Sequence, residues 1–529
     1  MRRAQIIALF HNPEVFASRF AASVILALWC QAEWFGWGNG TVSKAFDVFQ
    51  SVTYMTVCFF FFAQGKWLRL IVVAVSLLAL IGWPLHGMVG PLVTIANAET
   101  VLGTSFGETT QFLSTVAAGE YVLPGILALV VWGFLFIPWK SVGIFRKSLL
   151  WYGLIIVLCS PIFIKITGLN NVLLFVGSAL WSPAKTMTWQ ITGTIPEAPK
   201  VKNYIIVMGE SLRKDALHLY GNPYPTTPFL DSVPVKMIRT PVSPAGATMY
   251  AVPRELALTT GKGAENVEPE NNVVALANAA GMRTYWLSSH ERVLNKGIPF
   301  AIVADSAQKH YYAEKANDFL LVKEFERILR EEPTEKSRFL VVNTYGSHEP
   351  VCERVKNFGK PFSTGVKGKD WAVPFLGNDG YFDCYLASAL KADQIIEGLV
   401  KASVDRGETY ALIFTSDHAN TFFFKDGEMK CCRFPEYKSL YDVPFIELGT
   451  HVRTAAGYLV TRETARLSDY VPTWLGLKTN RTPENYDIFT APSDEPYVSE
   501  FSGNIKRYAD ELDSLSMKEV LSGKRPWNL

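Results

Sequence analysis

The first 166 residues are far more apolar than the rest of the chain, and that asymmetry limits the folds available. Five apolar segments stand out, at about 15–37, 45–64, 68–90, 121–139 and 148–166. Each approaches the ~20 residues that a helix needs to cross a bilayer. The expectation is a five-helix transmembrane domain over 1–166. An odd number of spans places the two ends of the chain on opposite sides. Arg2 and Arg3 precede the first span, Lys66 and Arg69 join the second to the third, and Lys140, Arg146 and Lys147 join the fourth to the fifth. The opposite loops hold Lys44, Glu99, Glu108 and Glu120, with no basic cluster. The positive-inside rule then puts the N-terminus in the cytoplasm and everything after about 167 outside. No small-residue cleavage site follows the first span, so a removable signal peptide is not expected.

Residues 167–200 read as an interfacial helix, with Trp181 and Trp189 as anchors, and a Pro-containing linker. From 201 to 529 the pattern becomes that of a soluble α/β domain. Strands are expected at 204–208, 283–288, 338–345, 409–415, 443–448 and near 496–501, and helices at 270–280, 313–331 and 384–402. Such alternation predicts a mostly parallel central sheet flanked by helices. The formal net charge of +2 gives no reason to expect a nucleic-acid partner. Of the seven cysteines, Cys30, Cys58 and Cys159 fall in the spans, and Cys352, Cys384, Cys431 and Cys432 in the exported part. Disulfides persist outside the cytoplasm. Four cysteines permit three pairings, of which Cys352 with Cys384 is plausible.

Three apolar strands end in groups able to do chemistry. Tyr204 to Met208 stops at Gly209-Glu210-Ser211, Arg338 to Tyr345 runs into Gly346-Ser347-His348, and Ala411 to Ser416 ends at Asp417-His418. Parallel strands deliver their carboxyl ends to one edge, where open α/β sheets place ligands. Thr248 follows the small residues Gly246 and Ala247 and precedes a helical pattern. A hydroxyl there lies in the positive field of a helix N-terminus. Glu, Thr, Asp and His are oxygen and nitrogen ligands suited to zinc. Singly, each has a plainer use: Glu210 and Asp417 as first-turn acids, Thr248 as an N-cap, His348 as a structural loop residue. Their joint order carries the argument.

That order resembles the membrane-bound phosphoethanolamine transferases of the alkaline phosphatase and sulfatase superfamily. The similarity covers Glu210, Thr248 with Pro253 five residues on, Gly346-Ser347-His348-Glu349-Pro350, Asp417-His418, the five spans, Tyr220 to Pro228 and the Cys352 and Cys384 pair. It implies that Glu210, Thr248, Asp417 and His418 bind one zinc ion. Thr248 would take phosphoethanolamine from phosphatidylethanolamine as a phosphothreonine, then pass it to a lipopolysaccharide or periplasmic glycan acceptor. It further implies a bacterial inner-membrane location with a periplasmic catalytic domain. His348 would bind the phosphate, hold a second metal or protonate the leaving group. Glu108 matches an acidic position of the family's external loop. The chain also departs from the pattern. No histidine lies between Asp417-His418 and the next strand, where Arg433 stands instead; an arginine can clamp phosphate but cannot bind zinc, so one ion is expected and a second is left open. Ala419 replaces a glycine. Trp286-Leu-Ser288-Ser289-His290 replaces the family's amides, which makes His290 a substrate-contact candidate with Glu108 and Arg433.

A phosphoglycerol transferase would use the same Glu, Thr and Asp-His set. A sulfatase needs a convertible Cys or Ser four residues before the arginine of its motif, and counting back from Arg254 gives Tyr250. An inactive envelope scaffold would have little reason to keep four ligands.

Overall fold

The computed structural model describes residues 13–36, 42–64, 67–89, 92–94, 98, 101, 118–136, 159–165, 169–181, 186–193, 201–293, 297–313, 317–333, 335–366, 380–425, 428–432, 436–500 and 504–522. The chain divides into two compact units. One comprises Met1–Ala98 and Thr115–Gly177, the other Glu99–Ser114 and Ser178–Leu529.

The first unit contains helices α1 (Pro13–Cys30), α2 (Val42–Gln64), α3 (Arg69–Val89) and α4 (Val122–Phe136). Leu26, Ala27, Ala63, Val72, Ala79, Ala128 and Val131 meet in its interior. The small residues let helices approach closely, and the Trp132 indole N–H donates to Ser76 Oγ across α4 and α3 at 2.8 Å. Leu78, Ile81, Ile126 and Leu129 face outward. The expected five spans are not all reproduced. Among the described residues, Ala45–Ala63 and Gly119–Phe136 are long and apolar enough to cross a membrane, and Arg69–Pro84 is apolar but shorter. Arg19 within α1, and Pro84 and His86 near the end of α3, dilute those two helices. Most of the expected fifth span, 148–166, lies outside the described residues.

The second unit is built on an eight-stranded sheet. Its strands are β1 (Asn203–Gly209), β2 (Lys236–Val242), β3 (Arg283–Ser288), β4 (Lys309–Tyr312), β5 (Arg338–Asn343), β6 (Tyr410–Ser416), β7 (Phe445–Gly449) and β8 (Ala456–Glu463), in the spatial order β8-β2-β7-β6-β1-β5-β3-β4. The sheet is mixed rather than mostly parallel, because β7 is antiparallel to both β2 and β6. After β6 the chain forms a hairpin, Thr421–Lys425 with Glu428–Cys432, and re-enters the sheet without a crossover. A strand that returns this way must run antiparallel. Since β2 and β6 both oppose β7, they share one direction with β1, β5 and β3. Their carboxyl ends therefore reach one edge.

The central strands are buried on both faces, so their sequences are continuous apolar runs rather than alternating ones. Ile206, Met208, Trp286, Val341, Ile413 and Phe445 belong to one core. Trp189, expected as a membrane anchor, is buried in that same core, and its backbone N–H donates to Asn271 Oδ1 at 2.9 Å. An asparagine well inside the second unit, not an interface, satisfies its backbone.

Helix α5 (Thr248–Leu256) follows β2 at the site edge, and α6 (Tyr381–Asp405) precedes β6. Cys352 and Cys384 form a disulfide with a Cα–Cα distance of 5.0 Å, which ties the segment after His348 to the first turn of α6. The bond closes a sequence separation of 32. Replacing both cysteines with serine is expected to lower stability by about 3–4 kcal/mol, from the lost restraint on the unfolded chain. Urea denaturation under oxidising conditions measures this, and an unchanged midpoint would contradict it. The side chains of Cys431 and Cys432 lie outside the described residues.

Candidate active site

β1 runs Asn-Tyr-Ile-Ile-Val-Met-Gly and stops because Ser211 takes a left-handed backbone, φ +57. The sharp turn aims the Ser211 N–H at Asp417 Oδ1, 3.1 Å away on the end of β6. The Ser211 hydroxyl donates back to Glu210 Oε1 at 2.7 Å. A non-glycine residue held in this region costs on the order of 1–3 kcal/mol, and such outliers gather at functional sites. The His418 N–H also donates to Asp417 Oδ1, at 2.7 Å. One oxygen of Asp417 is thus fixed by two backbone donors, while Oδ2 is buried with no hydrogen-bond partner.

Thr248 is the first residue of α5, as the sequence predicts. Its hydroxyl donates to Glu210 Oε2 at 2.6 Å. His418 Nδ1 lies 3.0 Å from the Ala419 carbonyl. That carbonyl can only accept, so Nδ1 carries the proton and Nε2 presents a lone pair. Nε2 stands 3.3 Å from Glu210 Oε1 and 3.5 Å from Asp417 Oδ2. The ligand atoms of Glu210, Asp417 and His418 all lie within 4.8 Å of one another, and all three residues are buried. Burial opposes charge on Glu210, yet the imidazoles when protonated, His418 first and then His348 and His290, hold its carboxyl well below the usual carboxylate range. Burial and then the Glu210 carboxylate push Asp417 well above that range. Two carboxylates and an imidazole lone pair converging in a dry site suit a divalent cation, and zinc accepts this donor set. The orphaned Asp417 Oδ2 fits the same ion.

The expected residues on the far side gather too. His290, just past β3, is buried, with Nε2 3.0 Å from the Thr344 carbonyl and 3.7 Å from Glu210 Oε2. Tyr345 lies between the two histidines. Its ring stacks on His290 at 4.4 Å and meets His348 at 4.9 Å. His348 is half-buried, with Nδ1 2.6 Å from the Glu349 carbonyl. Glu108 and Arg433 lie outside the described residues.

Sequence reasoning passed over Ser211, Ser243 and Tyr345. The Ser243 hydroxyl bonds the Asp417 carbonyl and so joins the segment before Thr248 to the β6 tip. The signal for Ser211 was its place next to Glu210. Ser243 and Tyr345 carried none, since a hydroxyl or a ring beside a strand end is ordinary.

Gly346 explains the glycine before Ser347-His348. Its φ is +46, and a Cβ there would stand 2.9 Å from the Glu210 carbonyl oxygen. The Ser347 N–H donates to that same oxygen at 2.9 Å. Gly346→Ala is expected to cost about 2–4 kcal/mol and to loosen Glu210. Thermal melting checks it, and a variant as stable as the parent would contradict the close approach.

A model of the sulfatase family matches residues 202–479, more than half of the 529-residue chain. Phosphoethanolamine transferase OpgE of Escherichia coli K12 is 24% identical over 325 residues, covering 59% of this chain and 58% of its own. A putative phosphoethanolamine transferase of Haemophilus influenzae is 30% identical over 236 residues, covering 42% of this chain and 46% of its own. The chain thus spans about half the length of the curated relatives it matches. Among solved structures, the integral membrane lipooligosaccharide phosphoethanolamine transferase A of Neisseria meningitidis aligns over 90% of this chain and 97% of its own, with TM-score 0.58 and 12% identity. The C-terminal periplasmic domain of EptC from Escherichia coli, solved in complex with zinc, covers 62% of this chain and 98% of its own, with TM-score 0.52 and 15% identity. At these identities the likeness is one of fold.

Proposed function

Because this chain belongs to the sulfatase family, we propose that it transfers phosphoethanolamine from phosphatidylethanolamine to an acceptor in the bacterial envelope. The observation that carries the reading is Thr248 at a helix N-terminus, bonded to Glu210 within a zinc-type ligand set. Relatives named phosphoethanolamine transferases supply the transferred group, and the zinc complex of the EptC domain supplies the metal.

Glu210, Thr248, Asp417 and His418 would hold the ion. Bound there, zinc supplies a Lewis acid that lowers the threonine pKa and offsets charge on the phosphoryl oxygens. As Thr248 Oγ1 attacks the donor phosphorus, its proton passes to Glu210 Oε2, the acceptor of its hydrogen bond, and the bond from phosphorus to the diacylglycerol oxygen breaks. His348, past the end of β5, donates the proton that diacylglycerol takes. An acceptor hydroxyl or phosphate then attacks the phosphothreonine and restores Thr248. The positive end of α5 favours each phosphorylated state. The outward apolar residues of α3 and α4 suit a membrane-embedded first unit in the inner membrane, with the catalytic unit periplasmic. Lipopolysaccharide or a periplasmic glycan is the acceptor class. A sulfatase reaction is disfavoured because Tyr250 occupies the position that must be converted, four residues before Arg254.

The test is the intact mass of the full chain, in detergent, after incubation with phosphatidylethanolamine. One added phosphoethanolamine group per chain is expected. A phosphoglycerol-sized gain from phosphatidylglycerol would favour the rival transferase, and no gain from either lipid would remove the covalent mechanism.

A further inference from the structure

The carboxylate beside His348 has no part in the ligand set. Glu349 is half-buried, and its Oε1 accepts from the Tyr381 hydroxyl at 2.5 Å and from Asn420 Nδ2 at 3.2 Å. Its Oε2 accepts from the Val351 N–H at 3.1 Å. The side chain is therefore held to α6 on one side and to the loop after Asp417-His418 on the other. Asn420 is fully buried, and its Oδ1 has no hydrogen-bond partner. A carboxylate and an unsatisfied amide oxygen thus sit together, next in sequence to His348 and two residues from His418.

This placement conflicts with a site that binds phosphate alone. A fixed carboxylate repels a phosphate ester, and a buried acceptor left unpaired costs about 1–3 kcal/mol. Both penalties reverse if the substrate carries a cation a short distance from phosphorus. An ammonium offers three donors and a positive charge.

We propose that Glu349 and Asn420 form the subsite for the ammonium of the phosphoethanolamine group and select it over uncharged head groups. The proposal rests on the reading of the site as a phosphoethanolamine transferase. Glu349 touches the substrate here and takes no proton.

The test titrates the zinc-supplemented full chain in detergent with 2-aminoethyl phosphate and, separately, with ethyl phosphate, which lacks only the amine. The parent is expected to prefer the amine by about 10- to 100-fold. Glu349→Gln should erase that preference and leave ethyl phosphate affinity unchanged or tighter. Asn420→Ala, which keeps the carboxylate, should reduce the preference several-fold. Equal affinity of the parent for the two esters would overturn the proposal, as would a preference that survives in both variants. Should Glu349→Gln lose ethyl phosphate as well, the Asn420→Ala result decides. Phosphatidylethanolamine should displace bound 2-aminoethyl phosphate better than phosphatidylethanol does, and equal displacement would deny the subsite a role in choosing the lipid. A clear amine preference without any covalent adduct would keep the subsite and remove the transfer reaction.

Discussion

Thr248→Ala is expected to abolish the phosphoethanolamine adduct and to lower transfer by about three orders of magnitude or more, the range seen when a covalent nucleophile is deleted. The fold should survive. The substitution removes a hydroxyl and a methyl from the first residue of α5, which is only 8% exposed, and it cuts one hydrogen bond to Glu210. That loss is worth about 1 kcal/mol. Glu210 keeps the Ser211 hydroxyl as a donor. The variant should therefore melt within a few degrees of the parent and retain metal through its remaining ligands. Intact mass and thermal melting, read together, separate a missing nucleophile from a broken site. An adduct of parental size on Thr248→Ala would assign the chemistry to another residue.

Asp417→Asn is expected to empty the metal site. The change is nearly isosteric, and Oδ1 can still accept from the Ser211 and His418 N–H groups. What it removes is the charge and the orphaned Oδ2. Outer contacts to a metal site already cost about 10- to 100-fold in affinity when lost, so loss of a direct ligand should exceed that. Elemental analysis after dialysis should find near one zinc per parent chain and little in the variant. A chelator should silence the parent, and added zinc should restore it. Unchanged metal content in Asp417→Asn would break the ligand assignment.

Much of this site was readable because its strands are buried on both faces. Tyr204 to Met208 and Ala411 to Ser416 are short apolar runs bounded by polar residues, so both strands and their tips could be placed. The three strands of the eight-stranded sheet that escaped notice lie at or near its margins. β2 carries Arg239 and Pro241, β4 is four residues long, and the first half of β8 alternates half-buried and exposed positions. Their sequences resemble those of loops because neighbouring strands, not composition, fix them. The reversal of β7 was also hidden. Phe445 to Leu448 is apolar whichever way it runs, and only the connection before it sets direction. In the first unit, α1 and α3 form where apolar segments stand, and their polar and proline residues lower the apolar content of the helices without breaking them. Tyr345 between the two histidines was invisible for a different reason: its neighbours meet only in space.

β1 sits between β5 and β6, the strands that bring His348 and Asp417-His418. Ser211 and Asp417 are 206 residues apart. At about 5–20 residues per second, roughly 10 to 40 s of synthesis separates the two strand tips. For that interval Glu210 has neither Asp417 nor His418 beside it, and no partial chain can hold the ion as the finished one does. An ion held by this ligand set, as proposed, would therefore enter only after Asp417 and His418 had joined Glu210, and its presence would mark chains whose central sheet has closed.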